Sequence, residues 1–310
     1  MQIYHRILIT GACSLSGFYM VRIIREQAPE AKIILTDQFN CNDDINVDSN
    51  DILLADARKI NELSSLVKEV KPDAIIHLSG LNYGDDRELF QVNLLGMLEI
   101  LNASITLNPK PIVLLVGSAA QYGAMLDSKE NILETDLMKP INIYGISKLF
   151  QEELGLLFCK TKELDVRFTR TFNIIGPRMN QQTIIGKVIA ELRKNKKSNH
   201  IDTITVGSLS SYRDFIDVRD VVKLYSAILF YGQKGEIYNV GSGIIRQIRK
   251  VINELIAMSG QSIKIIETSY SSREFESKGG CADNHKVLQL LPTYSPISFA
   301  ESIKDIIATI

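Results

Sequence analysis

The chain has 310 residues, 45% of them hydrophobic and 23% charged, with a formal net charge of -1. That mix suits a globular protein with a sizeable core, in one domain or two lobes, and the balanced charge excludes holding nucleic acid or an anionic membrane surface by bulk electrostatics. Cys13, Cys41, Cys159 and Cys281 lack metal-ligand spacing, and there is no N-terminal signal and no apolar run of roughly 18 residues, so reduced thiols, no metal, no membrane and a cytoplasmic location are expected.

Residues 6–10 (R-I-L-I-T) are a short apolar run ending at Gly11, followed by A-C-S-L-S-G and a helical pattern at Phe18, Val21, Ile23 and Ile24. Strand, glycine turn and helix is how a sheet aims a helix N-terminus at a phosphate. Gly11 permits the tight turn and Gly17 the close packing of helix on strand. A second strand, 32–36, ends in Asp37. A carboxylate about 20 residues after the last glycine is placed to hold an adenosine ribose by its hydroxyls and to repel a 2′-phosphate. Residues 41–50 read as a polar loop, 52–54 as a strand leading to Asp56 and Ala57, and 59–70 as an amphipathic helix. Strand 74–77 leads into Ser79 and Gly80; His77 reads as a packing residue at the strand end rather than a ligand. A long helix is expected at 88–107 with Asn93 near its start, then a strand at 112–116 leading into Gly117, Ser118, Ala119 and Ala120.

The next helix begins Tyr144-Gly-Ile-Ser-Lys148, after Pro140 and Asn142. Residues four apart on a helix share a face, with Cβ atoms roughly 5–6 Å apart. The Lys148 ammonium is therefore expected to favour the Tyr144 phenolate and to lower the phenol's pKa from about 10. Tyr144 becomes a candidate proton donor and acceptor. A strand at 166–170 completes an alternation of strands and helices, which implies a parallel, doubly wound sheet with ligands at the carboxyl ends of its strands. Gly11, Asp37, Asp56, Ser79, Ser118 and Asn173 all follow strands and so converge.

After Asn173 the pattern changes. Helices are expected at 184–194, from 218 to about 230, and at 248–258, 284–290 and 299–307. Short strands are expected at 203–206 and 236–240. The expected division is a Rossmann domain at 1–172, to which strand 236–240 returns, and a smaller substrate-binding lobe at 173–310.

Ten stretches together resemble the extended short-chain dehydrogenase/reductases that act on nucleotide-diphosphate sugars, the epimerase/dehydratase family. They are T-G-A-C-S-L-S-G (10–17), Asp37, Asp56-Ala57, I-I-H-L-S (75–79), V-N-L-L-G (92–96), G-S-A-A-Q-Y-G (117–123), Y-G-I-S-K (144–148), R-T-F-N-I-I-G-P (170–177), Y-R-D-F-I-D-V-R-D (212–220) and Y-N-V-G-S-G (238–243). Within it the chain looks most like the reductases of GDP-4-keto-6-deoxy-D-mannose. The resemblance implies that Tyr144 is the acid/base, that Lys148 holds the nicotinamide ribose, and that Ser118 bonds the reacting oxygen. It implies a cofactor site of Gly11, Ser14, Leu15, Gly17, Asp37, Asp56, Ala57, Leu78, Ser79, Gly80, Asn93, Tyr144, Lys148 and Phe172, with NAD(H) favoured over NADP(H). Asn173, Arg213 and Arg273 would face the sugar nucleotide, since guanidinium pairs bidentately with phosphate oxygens.

The chain departs from the family pattern at Ser14, which replaces the central glycine of the turn, and at Ala119 and Ala120, where the dehydratases carry two carboxylates. Without an acid to protonate a departing C6 hydroxyl, dehydration is not expected. The implied activity is NAD(P)-dependent reduction of the C4 keto group of a nucleotide-diphosphate hexose. The alternatives are a 4-epimerase that keeps its NAD bound and, in a different class, a non-catalytic nucleotide-binding regulator. The helices near 88–107 and 144–158 carry apolar residues on more than one face, and family members pair these helices, so a homodimer is expected.

Overall fold

The computed structural model describes residues 4–40, 51–123, 130–179, 181–198, 203–207, 209–261, 263–267 and 279–310. The main body is built from β1 (Arg6–Thr10), α1 (Leu15–Gln27), β2 (Lys32–Asp37), β3 (Ile52–Leu54), α2 (Glu62–Val70) and β4 (Ala74–His77). There follow α3 (Asp86–Phe90), a π-helical turn (Gln91–Gly96), α4 (Met97–Ser104) and β5 (Ile112–Ser118). A 3-10 turn (Ala119–Gln121), β6 (Asn131–Ile132), α5 (Ile143–Lys162) and β7 (Val166–Thr171) come next.

Seven strands form one parallel sheet in the order β11-β7-β5-β4-β1-β2-β3, where β11 is Ile237–Val240. The direction of winding reverses between β1 and β4, which opens a crevice at their carboxyl ends. Strand side chains alternate faces. In β1, Ile7 and Ile9 enter one core while Leu8 enters the other. Ile33 and Leu35 of β2, and Ile76 of β4, follow Ile7; Ile34 and Ile75 follow Leu8. Both faces are buried under helices, so these strands must be apolar at every position. Each such side chain contributes about 1.5–3 kcal/mol on full burial.

The second lobe uses β8 (Asn173–Ile175), α6 (Ile184–Ser198), β9 (Thr203–Val206), β10 (Tyr212–Asp217) and α7 (Val218–Tyr231). Beyond β11 it adds β12 (Ile245–Gln247), α8 (Ile248–Ser259), β13 (Lys264–Glu267), β14 (Cys281–Ala282), α9 (His285–Leu288) and α10 (Phe299–Ala308). A three-stranded sheet β12-β10-β8, the pair β13-β9 and the helices α6, α8 and α10 enclose a separate core around Val188, Leu192, Ile252 and Ile303.

Several expectations change. The helix expected at 88–107 starts earlier and is interrupted by the π-helical turn, which holds Asn93; such turns recur at functional sites. The helix expected from 59 begins at Glu62, because Asn61 takes a left-handed φ of 68°. Strand 236–240 does return to the main sheet, as β11 beside β7, and α7 joins it there, packing on the main sheet through Val221, Leu224, Tyr225 and Ile228. Strands β6, β8, β10, β12, β13 and β14 were not foreseen. Cys13 is disulfide-bonded, which corrects the expectation of reduced thiols there, while Cys159 and Cys281 are free and buried. Residues 41–50, including Cys41, and Arg273 lie outside the described residues. Among those described, no helix is long and apolar enough to cross a membrane and no group of side chains is arranged to hold a metal ion.

Candidate active site

The glycine turn after β1 is built by close approach. Gly11 has φ +68°, and a Cβ there would lie 2.6 Å from the Ser79 nitrogen and 2.7 Å from the Leu78 carbonyl carbon. A Cβ on Gly17 would lie 2.4 Å from the Ala12 oxygen. The turn therefore lies flat against the loop after β4. Ser14 adopts φ -70° and ψ 164°, and its hydroxyl accepts the Gly17 N–H at 3.0 Å as the N-cap of α1. Glycine is not required at that backbone geometry, and Ser14 contributes a helix cap at the position where the family pattern has a glycine. No acidic residue occupies the first turn of α1, so its positive end stays available to a diphosphate. Leu15 packs against the core of the second lobe.

At the end of β2, the Asp37 carboxylate accepts the N–H of Cys13 at 3.0 Å and of Gln38 at 2.7 Å. Asp56 is engaged by Arg58, which donates its Nε at 2.9 Å and Nη2 at 2.8 Å and holds the carboxyl below the usual range. Arg58 also reaches Gln38 at 2.5 Å and Glu88 at 3.3 Å. It was not among the candidates; only the fold brings Gln38 and Glu88 to it. Ala57 meets the π-helical turn at Gly96, where a Cβ would come within 2.9 Å of the Ala57 methyl.

Asn93 is fully buried. Its amide accepts the Leu81 N–H at 2.7 Å and donates to the Leu81 carbonyl and the Ser147 hydroxyl, both at 2.9 Å. It thus ties the loop of Leu78, Ser79 and Gly80 to α5. Gly80 packs over Lys148: a Cβ on it would lie 3.1 Å from Nζ.

Asn142 caps α5 by accepting the Gly145 N–H at 2.8 Å. The first turn presses on the turn after β5, since a Cβ on Gly145 would lie 2.5 Å from the Ala120 oxygen. That contact brings Tyr144 beside Ser118. Burial raises the Tyr144 pKa, and the neighbouring Ser118 hydroxyl pulls it back. The expected lowering by Lys148 is absent. The lysine ammonium instead donates to the Val116 carbonyl at 3.0 Å and to the Gln151 side chain at 2.9 Å. Burial of Lys148 lowers its own pKa to about 8.

Beneath Ser118 lies a buried polar network. Gln121 accepts the Ser118 N–H at 2.9 Å and donates to Glu152 at 2.9 Å. Glu152 accepts two bonds from Arg170, at 2.9 and 2.6 Å. Arg170 continues to Tyr122 at 3.0 Å, and Tyr122 to Asn239 at 2.7 Å. Gln121 and Gln151 were also missed. For Gln151 the helical spacing from Lys148 was a usable signal; for Gln121 the partner is 31 residues away. Phe172 is buried beside Tyr122 and Ala119. Asn173 donates to the Asp214 carbonyl at 3.1 Å, and Arg213 is half-buried on β10.

Gly11, Asp37, Ser79, Ser118, Tyr144 and Lys148 thus stand around one crevice, at the switch point of a parallel sheet with a lobe attached, which defines a Rossmann-type α/β protein. A family model described as NAD dependent epimerase/dehydratase family matches residues 7–241, and the chain belongs to this family. It is 32% identical over 212 residues to the GDP-6-deoxy-D-mannose reductase of Pseudomonas aeruginosa, covering 67% of this chain and 70% of that one. It is 25% identical over 233 residues to the GDP-6-deoxy-D-talose 4-dehydrogenase of Aggregatibacter actinomycetemcomitans, covering 74% and 76%. The solved structure of RMD from Pseudomonas aeruginosa complexed with NADPH superposes with a TM-score of 0.81 at 26% identity, over 98% of each chain.

Proposed function

We propose that this protein is an NAD(P)-dependent reductase of the C4 keto group of a nucleotide-diphosphate 4-keto-6-deoxy hexose, with a GDP-linked sugar favoured. The observation that carries the reading is Tyr144 set beside Ser118 at the carboxyl end of β5, with Lys148 one turn further along α5. Membership of an NAD-dependent family and 32% identity to a GDP-6-deoxy-D-mannose reductase support it. Ala119 and Ala120 stand where a dehydratase of this family has its carboxylates.

The residues fit a dinucleotide. Gly11 and Gly17 leave room for backbone approach, the α1 N-terminus favours a diphosphate, Asp37 would meet the adenosine ribose, and Lys148 the nicotinamide ribose. When bound, the nicotinamide carries the hydride that adds to C4. The protein's part is to hold the ketone oxygen on Ser118 and to deliver the Tyr144 phenol proton to it. A raised Tyr144 pKa keeps that proton in place at neutral pH. Asn173, Arg213 and Arg273 would take the sugar nucleotide.

The test is incubation with GDP-4-keto-6-deoxy-D-mannose and NADH or NADPH, with absorbance at 340 nm and mass spectrometry of the sugar nucleotide. Stoichiometric oxidation of the coenzyme with a two-hydrogen gain in the product is expected. Isomerisation of an unreduced sugar nucleotide with the coenzyme retained would make the protein a 4-epimerase. No turnover across a panel of keto-sugar nucleotides would make it a binding protein.

A further inference from the structure

We propose that Gln151 is a positioning residue for Lys148, its side-chain carbonyl holding the lysine ammonium against the crevice wall with neutral oxygen partners alone. The inference rests on the proposed reductase reading, in which Lys148 meets the nicotinamide ribose beside the proton-transferring Tyr144.

The geometry is a closed triangle. Lys148 Nζ donates to Gln151 Oε1 at 2.9 Å and to the Val116 carbonyl at 3.0 Å, and Gln151 Nε2 donates to that same carbonyl at 3.3 Å. Gln151 is 1% exposed and Lys148 6%, so water does not compete for these bonds. The i, i+3 spacing puts Gln151 on the lysine's own helical face. A long aliphatic chain is thereby held at both ends, by the helix and by the amide, under Gly80.

The charges around Lys148 make the neutrality of this partner consequential. Glu152, the next residue along α5, is spent: its oxygens accept Arg170 at 2.6 and 2.9 Å and Gln121 at 2.9 Å. From β4, His77 faces the lysine; it is fully buried, bonded to the Thr10 hydroxyl through Nδ1 at 2.8 Å, and held neutral with a pKa lowered to about 3. The π-helical turn offers only the Asn93 amide, and β5 only backbone. Tyr144, one turn back, is the remaining titratable neighbour. Among the described residues, no carboxylate therefore cancels the ammonium's field. The lowering of the Lys148 pKa to about 8 by burial fits an ammonium without a counter-ion. A buried amide partner fixes the position of the charge and leaves the site net positive, which a carboxylate at the same place would not.

The test compares wild type, Gln151→Glu, Gln151→Met and Lys148→Met in the oxidative direction, with GDP-6-deoxy-D-mannose and NAD or NADP, as pH profiles of kcat and kcat/KM. Oxidation needs the Tyr144 phenolate, so activity rises with pH through the tyrosine's apparent pKa. A carboxylate at 151 disfavours the phenolate and pairs with the ammonium, so in Gln151→Glu the acid limb moves up by about one unit. Below the limb, that is about a tenfold loss. Gln151→Met keeps the volume and removes the acceptor; kcat falls about tenfold with the sugar-nucleotide KM unchanged, and it carries the test if Gln151→Glu does not fold. Profiles of both Gln151 variants superimposable on wild type, with Lys148→Met inactive, would overturn this proposal and leave the reductase reading standing. Lys148→Met with wild-type turnover would remove the lysine from the reaction and overturn this proposal, leaving the reductase reading standing; a wild type that does not turn over the substrate would count against the reductase reading itself.

Discussion

At the scale of single residues, the chemistry depends on one hydroxyl pair. Tyr144→Phe removes the phenol proton and keeps the ring, so turnover is expected to fall about 10²- to 10⁴-fold, the usual range for general acid–base catalysis. Sugar-nucleotide affinity should hardly change; a mutant with wild-type kcat in steady-state assays would show that another group moves the proton. The coenzyme preference is also set by few side chains. Asp37 stands at the end of β2 and argues for NAD(H), because a carboxylate beside a 2′-phosphate is repulsive. Arg58, bonded to Gln38, brings a guanidinium to the same region and weakens that discrimination. In paired titrations, Asp37→Ala is expected to shift the ratio of NADPH to NADH affinity toward NADPH, and Arg58→Ala to shift it the other way. An unchanged ratio in both variants would place the selector elsewhere.

At the scale of elements, α5 carries the site. Its buried face is polar, with Ser147, Lys148, Gln151 and Glu152, where a helix on a sheet would ordinarily be apolar. That face is tolerable because every member is bonded, and because Gly155 lets the helix close on β7: a Cβ there would lie 2.5 Å from the Phe168 ring. The Glu152–Arg170 pair is 3% exposed on both sides. Glu152→Ala would strand a buried guanidinium and is expected to cost about 3–5 kcal/mol of stability. Denaturant unfolding checks this; a loss below about 1 kcal/mol would mean the pair is solvated in solution. The smaller change Glu152→Gln should also loosen Gln121, and through it the Ser118 backbone.

At the scale of the whole molecule, one apolar face has no cover among the described residues. Leu95, Phe150 and Leu157 are 46%, 47% and 49% exposed, on the π-helical turn and α5. Phe150 and Leu157, with Leu94, Leu154 and Leu156, line a groove. Contiguous apolar surface of this kind is characteristic of an interface. We infer a homodimer through these helices, and sedimentation velocity at micromolar concentration should show twice the chain mass. Phe150→Glu, which puts a charge in the groove, should yield a monomer; a wild-type monomer would disprove the interface.

The residues by themselves determined most of the Rossmann half. Apolar runs in β1, β4 and β5, the glycine turn, and the spacing of Tyr144 and Lys148 are local patterns, and local patterns follow from the period of strand and helix. The family resemblance extended that reading to Ser118 and Asp37. The tertiary structure decided what depends on distant partners. It turned the Lys148 ammonium to Val116 and Gln151 instead of Tyr144, and it made Ser14 a helix cap. It joined Cys13 in a disulfide and brought Arg58 to Gln38. It also brought α7 onto the main sheet. Apart from the local bonds of Lys148 to Gln151 and of Gly17 to Ser14, these are contacts between residues far apart in sequence, so only the folded chain, with its buried bonds satisfied, could select them.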